Sequence, residues 1–330
     1  MPEKKIRWGV LSTANIGRAA VIPAIQAARN GEMVAVASRD LEKAKEFAGR
    51  LGIPHAYGSY MALLEAEDID AIYIPLPNSL HREWTIRAAQ AGKHILCEKP
   101  LALNADECLE MDAAARQHGV TLMEAFMYRF HPRTQKALEM VRAGAVGELR
   151  MIHSAFTFRL TRPDNIRWSA ELGGGSLMDV GCYCVNISRS AAGKEPEVVQ
   201  AAARWSSSGV DEQMAGTLQF AGGLLAQFDS ALTMERREAY ELIGTDGFLA
   251  VETAFLPGKD PVAIEEVHGR RQQESHMVDG ADEYQLMVEH FSEAVLNRTA
   301  LVFSPEESVR NMRVLDALAE AARTGGTIHI

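Results

Sequence analysis

The 330-residue sequence predicts an α/β protein of two domains: a doubly wound parallel sheet, followed by an α+β domain built on a mainly antiparallel sheet. Three observations carry this. Up to Glu124, short apolar runs alternate with amphipathic stretches, as they do when crossover helices cover both faces of a parallel sheet. Beyond it the runs lengthen and follow one another directly, the pattern of antiparallel strands. The length exceeds what one core usually holds, and the texture changes abruptly, so domains of 1–124 and 125–330 are expected.

In chain order, the first domain offers strands at 7–11, 33–38, 71–74, 94–97 and 121–124, with a weaker one at 55–57. Helical periodicity fills the gaps at 16–28, 41–51, 59–65, 80–91 and 105–117, and Gly52, Gly92 and Gly119 suit left-handed C-caps. The second domain reads as a helix at 134–143, strands at 149–160, 198–205, 214–220 and 224–232, and helices at 177–192, 283–297 and 305–323. No internal repeat interrupts the order.

A hydrophobic content of 47% with 24% charged residues excludes the disordered, fibrous and membrane classes. The net charge of -10 disfavours nucleic acid, and only Arg236-Arg237 and Arg270-Arg271 form basic pairs. Cys97, Cys108, Cys182 and Cys184 are too few for a disulfide framework and fit no zinc spacing. With no stretch of 18 apolar residues and no long hydrophobic region at the start, a cytoplasmic protein with buried, reduced thiols is expected. The ten histidines are scattered without ligand spacing, so no metal is expected.

The first strand runs into a helix through Ser12-Thr13-Ala14-Asn15-Ile16-Gly17, a small-residue turn with the spacing of G-x-G-x-x-G. In that fingerprint the backbone approaches a pyrophosphate and a helix N-terminus faces its charge. Two of the three glycines are replaced here, so a plain strand-to-helix turn remains open. Position favours the ligand: the turn opens the first strand-helix-strand unit, where doubly wound sheets bind dinucleotides in what is then a Rossmann domain. About twenty residues on, Ser38-Arg39 offers a hydroxyl and a cation suited to a 2′-phosphate, which indicates NADP over NAD. Asp40 would instead suit a ribose, but it also suits the N-cap of the next helix. Two further strand ends on the same edge complete the crevice: Pro75-Leu76-Pro77-Asn78-Ser79-Leu80-His81 and Glu98-Lys99-Pro100. Helix entry capped by Asn78 or Ser79 explains the first of them equally well.

Together, Ser12–Gly17, Pro77-Asn78-x-x-His81, Glu98-Lys99-Pro100 and Gly173-Gly174-Gly175-x-x-x-Asp179-x-Gly181-x-Tyr183 resemble the glucose-fructose oxidoreductase/inositol dehydrogenase (Gfo/Idh/MocA) family along the whole chain. The runs 124–132 and 178–183 look most like its branch of NADP-dependent D-xylose 1-dehydrogenases and dihydrodiol dehydrogenases. The resemblance implies a Rossmann domain and a second domain with an open sheet, through whose exposed face members form homo-oligomers. It also implies that Lys99 lies beside the nicotinamide and that Asp179, with the residue four positions on, supplies the other polar chemistry. Most members carry histidine there; this chain carries Tyr183.

Oxidising a hydroxyl requires hydride departure and proton removal, and Tyr183 is the candidate acid/base. A free phenol titrates near 10, and the Lys99 cation would favour the phenolate. Asp179 and Tyr183, four apart on the 177–192 helix, would share a face, with Asp179 positioning a sugar hydroxyl or Lys99. A packed tyrosine and a Lys-Pro turn are the plainer readings of each residue alone. Gly173-Gly174-Gly175 permits a tight approach ahead of the helix, Arg167-Trp168 suits stacking on nicotinamide or substrate, and Phe126, Tyr128 and Arg129 are candidates for the pocket wall, with core burial the alternative for Phe126. The expected reaction is NADP-dependent oxidation of an aldose such as D-xylose at C1. Aldose-aldose oxidoreduction, reduction of a keto sugar or anhydrosugar, dihydrodiol oxidation, and a non-catalytic NADP-sensing regulator are the alternatives.

Overall fold

The structure, a computed structural model, describes residues 4–269 and 272–330, so the Arg270-Arg271 pair lies outside it. Six strands form the first sheet: β1 Ile6–Leu11, β2 Gly31–Ala37, β3 His55–Tyr57, β4 Ala71–Ile74, β5 His94–Cys97 and β6 Leu122–Glu124. All neighbours are parallel and the order is β3-β2-β1-β4-β5-β6. The order reverses between β1 and β4, which opens the crevice at their C-terminal ends. β1 and β4 are almost wholly buried, with Trp8 and Tyr73 among the largest enclosed side chains.

Local chemistry sets the helix ends. Asp40 caps Leu41–Leu51, Ser59 caps Tyr60–Leu64 and Asn104 caps Ala105–Gln117, each through a side-chain oxygen that accepts backbone N–H groups. Gly52 closes the first of these in the left-handed conformation. The helix after β1 departs from expectation by opening with a π turn, Gly17–Val21, before Ile22–Ala27.

The second sheet has nine strands: β7 Leu149–Arg159, β8 Pro196–Trp205, β9 Asp211–Phe220, β10 Leu225–Ala231, β11 Thr233–Gly244, β12 Phe248–Glu252, β13 Val262–His268, β14 Gln272–Val278 and β15 Ile328–His329. Their order is β14-β13-β12-β11-β7-β10-β9-β8-β15, antiparallel throughout except for β7 with β10. Helix Cys182–Ala192 packs on β7 and β10. A shallow groove of about 1170 Å³ crosses the sheet, lined by His153, Gln200, Thr217, Gln227 and Glu241 among others.

Contacts divide the chain into Met1–Met127 with Asp282–Val309, and Tyr128–Ala281 with Arg310–Ile330. A continuous 125–330 domain therefore does not hold. Helix Glu283–Asn297 belongs with the parallel sheet, because Phe291 packs on Trp8 with ring centroids 5.2 Å apart and Asn30 Nδ2 donates to the Glu289 carbonyl at 2.9 Å. Among the described residues no helix is long and apolar enough to cross a membrane, and all four cysteines are buried.

Candidate active site

In the first unit the loops after β1, β4 and β5 are tied to one another. Ser12 has φ 92°, a conformation that costs a non-glycine residue about 1 kcal/mol or more. Its hydroxyl offsets the strain by accepting the Ala14 N–H at 3.2 Å and donating to the Pro75 carbonyl at 3.3 Å. Serine thus adopts the backbone that the first glycine of the fingerprint supplies. Thr13 and Ala14 follow half-buried, and the chain is helical from Asn15 through Ile16 onward. A Cβ placed on Gly17 would meet nothing closer than 3.8 Å. Packing within the chain therefore tolerates a Cβ there at ordinary contact distance and makes no demand for glycine.

At the end of β2, Asp40 spends one carboxylate oxygen on the N–H groups of Glu42 and Lys43 and turns the other to Lys43 at 3.9 Å. Ser38 is buried, its Oγ accepting the Asp40 N–H at 3.3 Å, and Arg39 is exposed. The acidic candidate for a ribose contact is thus a helix cap, while the cation stays available.

His81 is wholly buried, with Nε2 2.8 Å from the Leu76 carbonyl and Nδ1 3.0 Å from that of Pro100. Both ring nitrogens face the loops themselves, so the imidazole staples the β4 loop to the Lys99 loop, and burial lowers its pKa. Asn78 lies inside the one-turn helix Asn78–Leu80, whose start has no side-chain cap, so neither it nor Ser79 serves as one. Lys99 is half-buried and its N–H donates to Glu98 Oε2 at 3.3 Å. The other Glu98 oxygen accepts the Tyr73 hydroxyl at 2.6 Å, and burial, then the Glu98 charge, holds that phenol well above its ordinary pKa. Glu124 Oε1 accepts the Leu101 N–H at 2.8 Å. Tyr73 and Glu124 were not singled out in the sequence; their only signal is a polar atom on an otherwise apolar strand. Phe126 is buried, edge-on to Phe303 with ring centroids 5.6 Å apart, in accord with the alternative of core burial.

In the second unit the glycine run is required by packing. A Cβ on Gly174 would overlap the Arg167 carbonyl, and one on Gly175, at φ 114°, would overlap Asp211 Oδ1. This close approach lets Arg167 Nε donate to Asp179 Oδ2 at 2.5 Å. Arg167 is therefore the partner of Asp179, which leaves Trp168 donating its indole N–H to the Arg162 carbonyl at 3.1 Å. Asp211, also missed in the sequence, is buried and accepts from Ser176 Oγ at 2.6 Å and the Leu177 N–H at 2.7 Å, which fixes the start of the helix. That helix opens with a π turn, Leu177–Gly181, before Cys182–Ala192, so Asp179 and Tyr183 are joined by a wider turn than the expected α-helical one. Tyr183 is buried among Phe255, Phe156 and Tyr128, with ring centroids 5.3, 5.4 and 5.7 Å away. Tyr128 is fully buried and donates to Asn186 Oδ1 at 2.6 Å; burial keeps its phenol protonated, as befits a packing residue. Arg129 Nη1 donates to Ser190 Oγ at 2.9 Å.

The sequence matches the oxidoreductase family with an NAD-binding Rossmann fold over residues 6–126 and the GFO/IDH/MocA C-terminal domain over residues 134–250. It is 43% identical over 328 residues to D-xylose 1-dehydrogenase (NADP(+)) 2 of Haloferax volcanii, covering 98% of this chain and 99% of that one. The chain belongs to the GFO/IDH/MocA oxidoreductase family. Within the family, the trans-1,2-dihydrobenzene-1,2-diol dehydrogenase of Xenopus tropicalis is 38% identical over 252 residues, 74% of each chain. A solved structure of a 3-ketoreductase from Actinomadura kijaniata, in complex with NADP and TDP-benzene, superposes with a TM-score of 0.92 at 32% identity, over 96% of this chain and 98% of that one.

Proposed function

We propose that this GFO/IDH/MocA oxidoreductase transfers hydride between NADP and C1 of an aldose of the D-xylose kind. The observation that carries the reading is the full-length likeness to an enzyme named for that sugar and that cofactor. Ser12, Thr13, Ala14, Asn15 and Ile16 would hold the pyrophosphate, and Ser38 with the exposed Arg39 the 2′-phosphate. Pro75, Leu76, Asn78, Glu98 and Lys99, on loops that His81 ties together, would line the nicotinamide half. Bound NADP supplies the hydride acceptor or donor.

Tyr183 takes the proton from the sugar hydroxyl during oxidation and returns it in reduction, and the Lys99 cation favours the phenolate. Asp179, oriented by Arg167, accepts from a second sugar hydroxyl. Reduction of a keto sugar is the second reading, supported by the likeness to the 3-ketoreductase. The groove across the nine-stranded sheet offers a face for homo-oligomer formation, and the buried cysteines accord with the cytoplasm.

The test is NADPH formation by purified protein against a panel of aldoses, keto sugars and diols. Tyr183→Phe and Lys99→Ala are expected to lose activity on the order of 100-fold or more while NADP still binds. Full activity in both variants overturns the mechanism, and activity confined to diols overturns the substrate.

A further inference from the structure

The β13–β14 hairpin carries one short pattern on each strand, Glu266-x-His268 and Glu274-x-His276. Side chains two apart on a strand share a face. The register sets Glu266 opposite Glu274 and Ile264 opposite His276, so all four residues stand on one face of the hairpin. Two carboxylates directly opposite each other destabilise a ladder unless a cation relieves them.

Around this pair the imidazoles converge. Glu266 Oε1 lies 2.8 Å from His268 Nε2 and Glu266 Oε2 lies 2.6 Å from His276 Nε2; Glu274 Oε1 is 3.9 Å from His276 Nδ1. Glu266, Glu274 and His276 each bring a ligand atom within 4.8 Å of the others. Glu266, His276 and His268 are partly covered, with side-chain exposures of 15%, 21% and 31%, and Glu274 is open to solvent at 72%. His268 Nδ1 lies 2.8 Å from the Asp246 carbonyl, the kind of outer partner that fixes the tautomer and aims Nε2 in metal-ligating histidines. Mixed imidazole and carboxylate donors suit zinc-class ions, whereas magnesium and calcium take oxygen.

We propose that Glu266, Glu274 and His276, with His268 as fourth ligand, bind one zinc-class divalent cation across the β13–β14 hairpin. Ligands about 2.0–2.1 Å from tetrahedral zinc stand roughly 3.3 Å apart, so Glu266 and the imidazoles, now 2.6 and 2.8 Å apart, spread slightly while the exposed Glu274 side chain, 3.9 Å from His276, swings in to admit the ion. The ion relieves the carboxylate pair and ties β14, a terminal strand of the sheet, to its single neighbour. The sequence conceals the site because its ligands come from two strands and meet only in register.

The experiment is calorimetric titration of Zn²⁺ into chelator-stripped protein, alongside Glu266→Gln, His276→Gln and the double variant His268→Gln/His276→Gln, with circular dichroism showing that each is folded. One saturable site per chain is expected, weakened at least tenfold in each single variant and lost in the double variant, with no saturable Mg²⁺ binding. Should any variant misfold, one-to-one Zn²⁺ protection of His268 and His276 from diethyl pyrocarbonate in the native chain decides the question. Absence of a saturable site, undiminished affinity in the double variant, or no protection of these histidines overturns the proposal.

Discussion

At the scale of one residue, the proposed choice of NADP turns on Arg39. Because Asp40 is consumed in capping Leu41–Leu51, the acidic group that would favour a ribose diol is turned away and the neighbouring guanidinium remains exposed. A charge-assisted hydrogen bond contributes about 1.5–3 kcal/mol, so Arg39→Ala should raise KM for NADP about 10- to 100-fold and leave that for NAD nearly unchanged. Steady-state kinetics with both cofactors checks this; an unaltered preference would remove Arg39 from the 2′-phosphate site. At this scale the sequence was informative where a residue type declares itself, as with Ser12 in the place of a glycine. It was silent on pairs such as Arg167 with Asp179 and Ser176 with Asp211. The glycine run announced a close approach, but not which residues would meet there, since Asp211 lies more than thirty residues further along the chain.

Among elements, three helices with ordinary caps were legible to the residue: Leu41–Leu51, Ala105–Gln117 and Glu283–Asn297 match their expected spans. Helix Pro132–Arg142 starts two residues before the expected 134, because its cap is His131, an unusual one, whose Nδ1 accepts the Arg133 N–H at 3.1 Å. Strands β11 to β14 went unread: charged residues break the apolar alternation of β11 and β13, β14 is mostly polar, and β12 is only five residues long. The His131 cap has a consequence for pH. An accepting Nδ1 must be unprotonated, and burial, followed by the Arg133 charge, pushes the pKa down to about 4. The unfolded chain takes up this proton near 6.5, so the contribution is present above that pH and is lost as pH falls through about 4. A loss of about 3 kcal/mol is expected between those limits. His131→Asn keeps a capping oxygen and cannot titrate, so its denaturation midpoint should vary less with pH; a profile as steep as that of the unaltered protein would show that other groups govern acid stability.

For the whole molecule, the decisive fact is that the chain returns to its first unit near the end. Glu283–Asn297 buries Met287, Val288 and Phe291, and each such side chain contributes about 1.5–3 kcal/mol. Their sum is comparable to the 5–15 kcal/mol by which a domain is usually stable. A fragment of residues 1–127 therefore lacks part of its own core: Trp8 loses Phe291 and Asn30 loses its acceptor at Glu289. Expressed alone, it should bind a hydrophobic dye and melt without a cooperative transition. Joined through a flexible linker to residues 282–309, the same fragment should melt cooperatively and bind NADP. Equal, cooperative melting of the two fragments would mean that the helix only decorates the parallel sheet. The predicted contrast instead makes residues 282–309 a working part of the cofactor-binding half, although some 150 residues of the other unit precede them in the chain.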